Sequence, residues 1–216
     1  MSLSIVVLLS GNGSNLQAII DACDDGQIKG EVSAVISNRP DAFGLTRASR
    51  ANIPCHTVEH KDYPRRESFD RALIKHIDSH QPDIVILAGF MRIFSPLFVQ
   101  HYANRLLNIH PSLLPKHKGL DTHQRVLDAG DKEHGCSVHF VTETLDDGPI
   151  IAQSSVPVDA TDTVDDLKKK VQQQEHRLYP IVLEWIASNR LQHDEHGHLL
   201  DQQRLPSSGY QLPRPY

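Results

Sequence analysis

An amide and an imidazole, Asn108 and His110, end the short apolar stretch "LLNIH", and a proline follows at once. The stretch is predicted to form a buried strand, in which residues two apart point to the same face. An amide N–H and an imidazolium N–H that point to one place can stabilise the oxyanion formed in acyl transfer. The alternative is a structural pair of polar side chains with no chemical role.

A carboxylate that can serve this histidine is found in the turn "TLDDGPII", which contains Asp146 and Asp147. A carboxylate next to an imidazolium stabilises its charge and can pass a proton through water. Aspartate followed by glycine is also common in turns for purely local reasons, and this explanation accounts for at least one of the two aspartates.

The segment "SGNGSN", Ser10–Asn15, lies between a predicted strand and a predicted helix. Its two glycines allow a tight turn, and the N–H groups at the start of a helix favour an anion. A dinucleotide site would need a glycine in place of Leu16 and an acid in place of Asn38, and the lysine of a triphosphate loop is missing. A phosphate monoester therefore remains as the candidate ligand. The alternative is that the glycines only form the turn and that Ser14 or Asn15 only caps the helix.

These groups need a scaffold, and apolar runs that alternate with helical patterns predict one. The run "DIVILAGF" is typical of a parallel strand covered on both faces. The sequence therefore predicts an α/β fold with a Rossmann-like, open, mostly parallel twisted sheet and helices on both faces. The strands of this sheet are predicted at 4–11, 31–38, 53–58, 83–90 and 105–110, and its helices at 14–23, 42–52 and 66–80.

The later part of the chain is predicted to add an antiparallel pair of strands, 136–144 and 149–158, at the sheet edge. A long helix is predicted over 163–188, with Pro180 inside it. We expect a single domain over residues 1–205, divided into a phosphate-binding half, 1–104, and a second half, 105–205. Residues 206–216 are rich in Pro, Ser and Gln and are predicted to form a loosely ordered tail.

Composition excludes several classes of function. The net charge of −5 and the pI near 6.2 argue against a nucleic-acid partner. No apolar run is long enough to span a membrane, so no membrane partner and a cytoplasmic location are expected. The three cysteines are widely spaced and fit reduced thiols, and the 14 histidines do not form a zinc motif such as HExxH. No metal is expected.

Six stretches, in this order and spacing, resemble the phosphoribosylglycinamide formyltransferases, a family of folate-dependent enzymes of purine synthesis: "LSGNGSNLQAII", "SN" followed by Arg39, "LAGFMRI", "LLNIHPSLLP", "GCSVHFV" and "LDDGPII". The resemblance implies transfer of a formyl group from the co-substrate 10-formyltetrahydrofolate to the amine of 5'-phosphoribosylglycinamide (glycinamide ribonucleotide). It also implies that the second half carries catalysis and folate binding. The partners would be these small molecules, and the protein would be a monomer or a homodimer.

The resemblance implies that residues 116–134 form a mobile loop, which we call the lid segment. It also assigns roles to individual residues. The residues matching the catalytic group are Asn108, His110 and Asp146. Those matching the site of glycinamide ribonucleotide are Gly13, Ser14 and Asn15 around the phosphate, and Glu175 near the ribose or the amine. Those matching the folate site are Arg66, Met91, Arg92, Ile93, Phe94 and Asn108. From the residues alone, Arg66 also fits an ordinary surface charge, Phe94 a core residue and Glu175 a carboxylate at a solvated boundary.

Four other functions compete with this one. A tRNA formyltransferase shares "NIHPSLLP" but would need a basic face, which the net charge of −5 disfavours. A formyltetrahydrofolate hydrolase, or a formyltransferase acting on another amine, has no need of a phosphate loop. A non-catalytic sensor of sugar phosphates would explain "SGNGSN" but would leave Asn108, His110 and Asp146 without a purpose.

Overall fold

The structure is a computed structural model that describes residues 2–214. The chain divides into two compact units, Met1–Asn108 and Ile109–Tyr216. The boundary between the two halves was predicted between residues 104 and 105. In the structure the boundary between the two units follows Asn108, within strand β5 (Leu106–His110).

The first unit is a parallel sheet with helical connections. Its strands have the order β5-β4-β1-β2-β3, and every neighbouring pair is parallel. The strands that precede β5 are β1 (Leu3–Leu9), β2 (Gly30–Ser37), β3 (Cys55–Thr57) and β4 (Ile84–Leu87). The helices are α1 (Ser14–Asp24), α2 (Phe43–Arg50), α3 (Arg66–Asp78) and α4 (Pro96–His101), with a short 3-10 helix at His60–Asp62.

The central strands of this unit place two loops side by side. All residues of β1 except Ser4 are buried, as expected for a strand covered on both faces. Strands β1 and β4 run in parallel with Leu8 opposite Leu87, so the loops that follow them leave the sheet at the same edge. Ligands of open α/β sheets bind at this edge.

The second unit combines β5 with three further strands in the order β11-β7-β6-β5. The bounds are α5 (Thr122–Ala129), β6 (Glu133–Phe140), β7 (Ile150–Pro157), α6 (Val164–Ala187) and β11 (Tyr210–Leu212). Strands β6 and β7 are antiparallel, as predicted. A separate antiparallel sheet, which the sequence did not predict, is formed by β8 (Leu191–Asp194), β9 (Gly197–Leu200) and β10 (Gln203–Arg204).

Helix α6 agrees closely with the predicted long helix. It begins with a capping box in which Thr163 Oγ1 accepts from the Asp166 N–H and Asp166 Oδ2 accepts from the Thr163 N–H. The helix continues through Pro180 to Ala187. Its buried apolar residues pack on β6 and β7.

The predicted loosely ordered tail and the predicted sheet edge need correction. Tyr210–Leu212 form β11, which pairs in parallel with Ala152–Ser154 of β7, so β11 and not β7 is the edge strand. The Gln211 side-chain N–H also donates to Gln153 Oε1 over 3.2 Å. The composition of the tail concealed the strand because an edge strand needs only main-chain partners. Residues 215 and 216 of the predicted tail lie outside the described residues.

The α/β class and the mostly parallel sheet predicted from the sequence are confirmed. No helix among residues 2–214 is both long enough and apolar enough to span a membrane.

Candidate active site

The structure brings His110 and Asp146 together in the second unit. His110 is the last residue of β5, and its Nδ1 lies 3.4 Å from Asp146 Oδ2. Both side chains are only 7% exposed. Asn108 lies two residues before His110 on the same strand and is half-buried. The Asp146 carboxylate thus lies beside the His110 imidazole, and both are shielded from solvent.

The two ring nitrogens of His110 face different oxygen atoms. His110 Nε2 lies 3.0 Å from the carbonyl oxygen of His117, which can only accept, so Nε2 carries a hydrogen. Nδ1 faces a carboxylate, which also only accepts when ionised. Both ring nitrogens of His110 therefore face groups that accept hydrogen bonds.

The lid segment contributes a second contact to this pair. The Gly119 N–H donates to Asp146 Oδ2 over 2.9 Å, so the lid backbone binds both members of the pair. His117 is itself held by Asp131, whose Oδ2 lies 2.8 Å from His117 Nε2. Within the lid segment, Thr122–Ala129 form helix α5.

The turn that carries Asp146 separates the two candidate aspartates. Asp146 is buried and has a φ of 49°, an uncommon conformation for a residue other than glycine and one often found at functional sites. Asp147 is exposed and forms an ion pair with Lys118. The structure thus places Asp146, and not Asp147, beside His110.

His139 is a third group at this place, which the sequence analysis did not single out. Its Nε2 lies 3.8 Å from Asp146 Oδ1, and its Nδ1 lies 2.9 Å from the carbonyl oxygen of Phe140. Burial lowers the pKa of His139, so the ring is a neutral neighbour of the carboxylate. A histidine inside an apolar strand has the same sequence signal as a core residue, which explains why it was missed.

A histidine pair, the buried His134 and the half-buried His123, attaches the lid helix to β6 and makes the stability of the fold depend on pH. His123 Nδ1 lies 2.9 Å from His134 Nε2, and burial, assisted by the charge of His123, lowers the pKa of His134 from 6.5 to about 4. Between about pH 6.5 and about pH 4, His134 is therefore protonated in the unfolded chain and neutral in the folded chain. The free energy of unfolding falls as the pH decreases through this range. We expect His134→Gln to reduce the loss of unfolding free energy between pH 7 and pH 4 by about 2 kcal/mol.

Urea unfolding of both proteins at several pH values in this range measures that difference. His196→Gln is the control, since His196 is an exposed histidine of the same unit. Equal pH dependence of wild type and His134→Gln would contradict the expectation.

The predicted phosphate loop is built as a tight turn in the first unit. Gly13 has a φ of 73° and is the residue at which α1 is capped, without a side-chain hydrogen bond. Ser14 and Asn15 are already in the helix, so neither is its cap residue. The positive end of the α1 dipole lies at this loop, as an anion site requires.

An arginine that the sequence analysis did not mention stabilises the loop. Arg47 of α2 donates from Nε to the Asn12 carbonyl oxygen over 2.9 Å and from Nη2 to Asn12 Oδ1 over 3.1 Å. Its charge also adds a positive field next to the loop. No local motif marks this arginine, because it belongs to another helix.

The loop after β4 contacts the phosphate loop through Ser10. The Met91 N–H donates to Ser10 Oγ over 2.8 Å, and Ser10 Oγ donates to Asn38 Oδ1 over 2.6 Å. The Ser10 N–H donates to the Gly89 carbonyl oxygen over 3.1 Å. The structure therefore brings two stretches with predicted binding roles into direct contact.

The residues predicted to bind folate in this unit have different environments. Met91, Arg92 and Ile93 are exposed, with Met91 at 65% and Ile93 at 55%. Phe94 is buried and stacks between Phe90 and Phe98, with ring centroids 5.4 Å and 4.0 Å apart. Arg66 is the exposed first residue of α3.

Glu175 is a half-buried residue of α6 in the second unit. Burial, together with the charge of Glu175, holds the pKa of the Cys136 thiol on β6 well above its usual range. The carboxylate is therefore close to β6. In the part of the chain that the structure describes, no group of three or more His, Cys, Asp or Glu side chains is arranged to hold a metal ion.

Comparisons with known proteins agree with this geometry. The family described as "Formyl transferase" matches residues 3–183. The phosphoribosylglycinamide formyltransferase of Escherichia coli is 60% identical over 208 residues, which cover 96% of this chain and 98% of that protein. The enzyme of the same name from Haemophilus influenzae is 44% identical over 206 residues, covering 95% and 97%.

A solved structure supports the same assignment. The phosphoribosylglycinamide formyltransferase from Coxiella burnetii aligns with a TM-score of 0.95 at 50% sequence identity. The alignment covers 99% of this chain and 100% of that one. Since the family match spans most of the sequence and these relatives share nearly its full length, the chain belongs to the formyl transferase family.

Proposed function

We propose that the protein transfers the formyl group of 10-formyltetrahydrofolate to the amine of glycinamide ribonucleotide, a step of purine biosynthesis that yields formylglycinamide ribonucleotide and tetrahydrofolate. The observation that carries the proposal is the buried His110–Asp146 pair at the end of β5, in which both ring nitrogens of His110 face hydrogen-bond acceptors. The names and the high identity of the relatives support the choice of substrates.

The charged histidine accounts for the central step. The amine of the ribonucleotide attacks the formyl carbon, and the formyl oxygen becomes an oxyanion. His110 and Asn108 each donate a hydrogen bond to this oxygen, and Asp146 holds the imidazolium in place. In the structure the His117 carbonyl oxygen accepts from His110 Nε2 at 3.0 Å, and in the reaction the formyl oxygen takes that place.

The remaining steps concern protons and position. The attacking amine loses a proton and the departing folate nitrogen gains one, and water beside Asp146 is suited to carry it. Both substrates must be held together, because proximity supplies a large share of the rate.

The other candidate residues would bind the two substrates. Gly13, Ser14 and Asn15 hold the phosphate at the start of α1, and Glu175 contacts the ribose or the amine. Arg66 is suited to the carboxylates of the folate tail, since arginine forms paired hydrogen bonds with carboxylate groups. Met91–Phe94 supply backbone groups to the pterin. We also place the reaction in the cytoplasm, in a monomer or a homodimer.

The proposal is tested by mixing the purified protein with 10-formyltetrahydrofolate, with and without glycinamide ribonucleotide, and following tetrahydrofolate by absorbance. We expect release only when the ribonucleotide is present. Release without it would assign a hydrolase. No release in either mixture, together with calorimetric binding of the ribonucleotide, would assign a sensor of sugar phosphates.

A further inference from the structure

The segment Met91–Phe94 is held at both ends within the first unit. At one end, the Met91 N–H donates to Ser10 Oγ over 2.8 Å. At the other end, Phe94 is buried in the stack with Phe90 and Phe98, and Ser95 follows at once. The exposed side chains between these anchors are those of residues 91–93.

Ser95 is anchored by a buried carboxylate of α3. Asp70 Oδ2 accepts from the Ser95 N–H over 2.7 Å and from the Ser95 hydroxyl over 2.6 Å. Asp70 is fully buried, and Ser95 is 1% exposed. Ser95 precedes α4 and makes no side-chain capping bond to it; its hydroxyl donates to Asp70.

The carboxylate of Asp70 is an unfavourable group to bury for stability alone. Its second oxygen, Oδ1, is buried and accepts no hydrogen bond from the described residues. Burial raises the pKa of Asp70, whereas the two hydrogen bonds from Ser95 and the nearby charge of Arg66 act in the opposite direction. A buried carboxylate with an unsatisfied oxygen opposes folding, so its presence calls for a role beyond packing.

Asp70 is also connected to the other predicted folate-binding group of this unit. Arg66 lies one turn earlier on α3, and its charge favours the ionised form of Asp70. One carboxylate therefore interacts with Arg66 and, through Ser95, fixes the end of the segment 91–94.

We propose that Asp70 is a positioning residue for the formyl-folate co-substrate: through its two hydrogen bonds to Ser95 it sets where residues 91–93 present their groups to the folate. The inference rests on the proposed function and deepens it. Asp70 does not touch the reacting atoms, so its removal should weaken folate binding and leave the chemical step intact.

The test compares steady-state kinetics of wild type, Asp70→Ala and Asp70→Asn for both substrates. We expect Asp70→Ala to raise the KM for 10-formyltetrahydrofolate about tenfold and to change kcat and the KM for glycinamide ribonucleotide by less than about twofold. Asp70→Asn keeps an acceptor oxygen for Ser95 and should return the folate KM to within about threefold of wild type. Calorimetric titration with tetrahydrofolate should show the same order of Kd values.

A matched control is Asp78→Ala, since Asp78 lies on the same helix and also binds the α4 region. Asp78 accepts from the Tyr102 hydroxyl over 2.8 Å and lies 2.9 Å from His101 Nε2, at the far end of α4. This variant should lower the melting temperature without raising the folate KM. If Asp78→Ala raises that KM as much as Asp70→Ala does, Asp70 has only a structural role.

Other outcomes separate the inference from the proposed function. If the wild type shows no ribonucleotide-dependent formyl transfer, the proposed function is overturned. The calorimetric titration with tetrahydrofolate then still tests whether Asp70 affects folate binding. Active wild type with an unchanged folate KM in Asp70→Ala, or with equal increases in both KM values, overturns the inference alone. If Asp70→Ala does not fold, Ser95→Ala decides the matter: an increase of about threefold in the folate KM alone supports the inference, and no increase rejects it.

Discussion

Replacing His110 with alanine is expected to lower kcat by about 10²–10³-fold, while the KM for glycinamide ribonucleotide stays nearly unchanged. The reason is that the imidazolium donates to an oxyanion that exists only during the reaction, so its loss removes about 3 kcal/mol of transition-state stabilisation and no substrate binding. Steady-state kinetics with both substrates, together with calorimetric binding of the ribonucleotide, measures the two effects separately.

The two neighbouring aspartates provide a matched comparison for this prediction. Asp146 lies 3.4 Å from His110, whereas Asp147 pairs with Lys118 at the surface. Asp146→Asn should therefore reduce kcat strongly, and Asp147→Asn should leave it within about twofold, as expected for an exposed ion pair. Turnover of His110→Ala close to that of wild type would remove the histidine from the mechanism.

Replacing Gly13 with alanine is expected to destabilise the fold by about 2–4 kcal/mol and to abolish measurable binding of the ribonucleotide. Gly13 has a φ of 73°, and an added Cβ would lie 2.6 Å from the Cα of Gly44. This contact is with backbone, which cannot rotate away, so the start of α1 and α2 must separate. Urea unfolding and calorimetric titration with the ribonucleotide measure the two losses.

Gly26→Ala separates backbone strain from the steric clash. Gly26 also has a φ of 73°, but no heavy atom lies within 4 Å of an added Cβ. Gly26→Ala should therefore lower the free energy of unfolding only by the strain of the left-handed conformation, about 1 kcal/mol. Equal destabilisation by Gly13→Ala and Gly26→Ala would mean that the approach of α2 to the loop has no energetic importance.

The parts of the fold that follow from apolar pattern were predictable. Strand β1 and strand β4 are continuous apolar runs, and a strand covered on both faces leaves this signal. The β8–β10 sheet and β11 were missed because each of these strands has only two to four residues, and many of their side chains are exposed. Short strands of this kind have no side-chain period to detect.

Prediction of the candidate site was limited by contacts that are distant in sequence. The spacing of Asn108 and His110 on one strand could be predicted, because it is local. The choice between Asp146 and Asp147 could not be made from the residues, since it depends on Lys118 and on the fold of the turn. Phe94 fits a core residue and a ligand contact equally well by sequence, and the structure buries it between two other phenylalanine rings.

Strand β11 also affects the pairing of strands between copies of this protein. The strand covers Ala152–Ser154, the middle of the eight-residue strand β7, and Arg214 beyond it pairs with Glu133 of β6. An uncovered strand offers its N–H and C=O groups to any extended chain, which is a common start of aggregation. Residues 210–214 thus cover the middle of β7, and because β11 has only three residues, this edge of the sheet offers few main-chain groups for intermolecular strand addition.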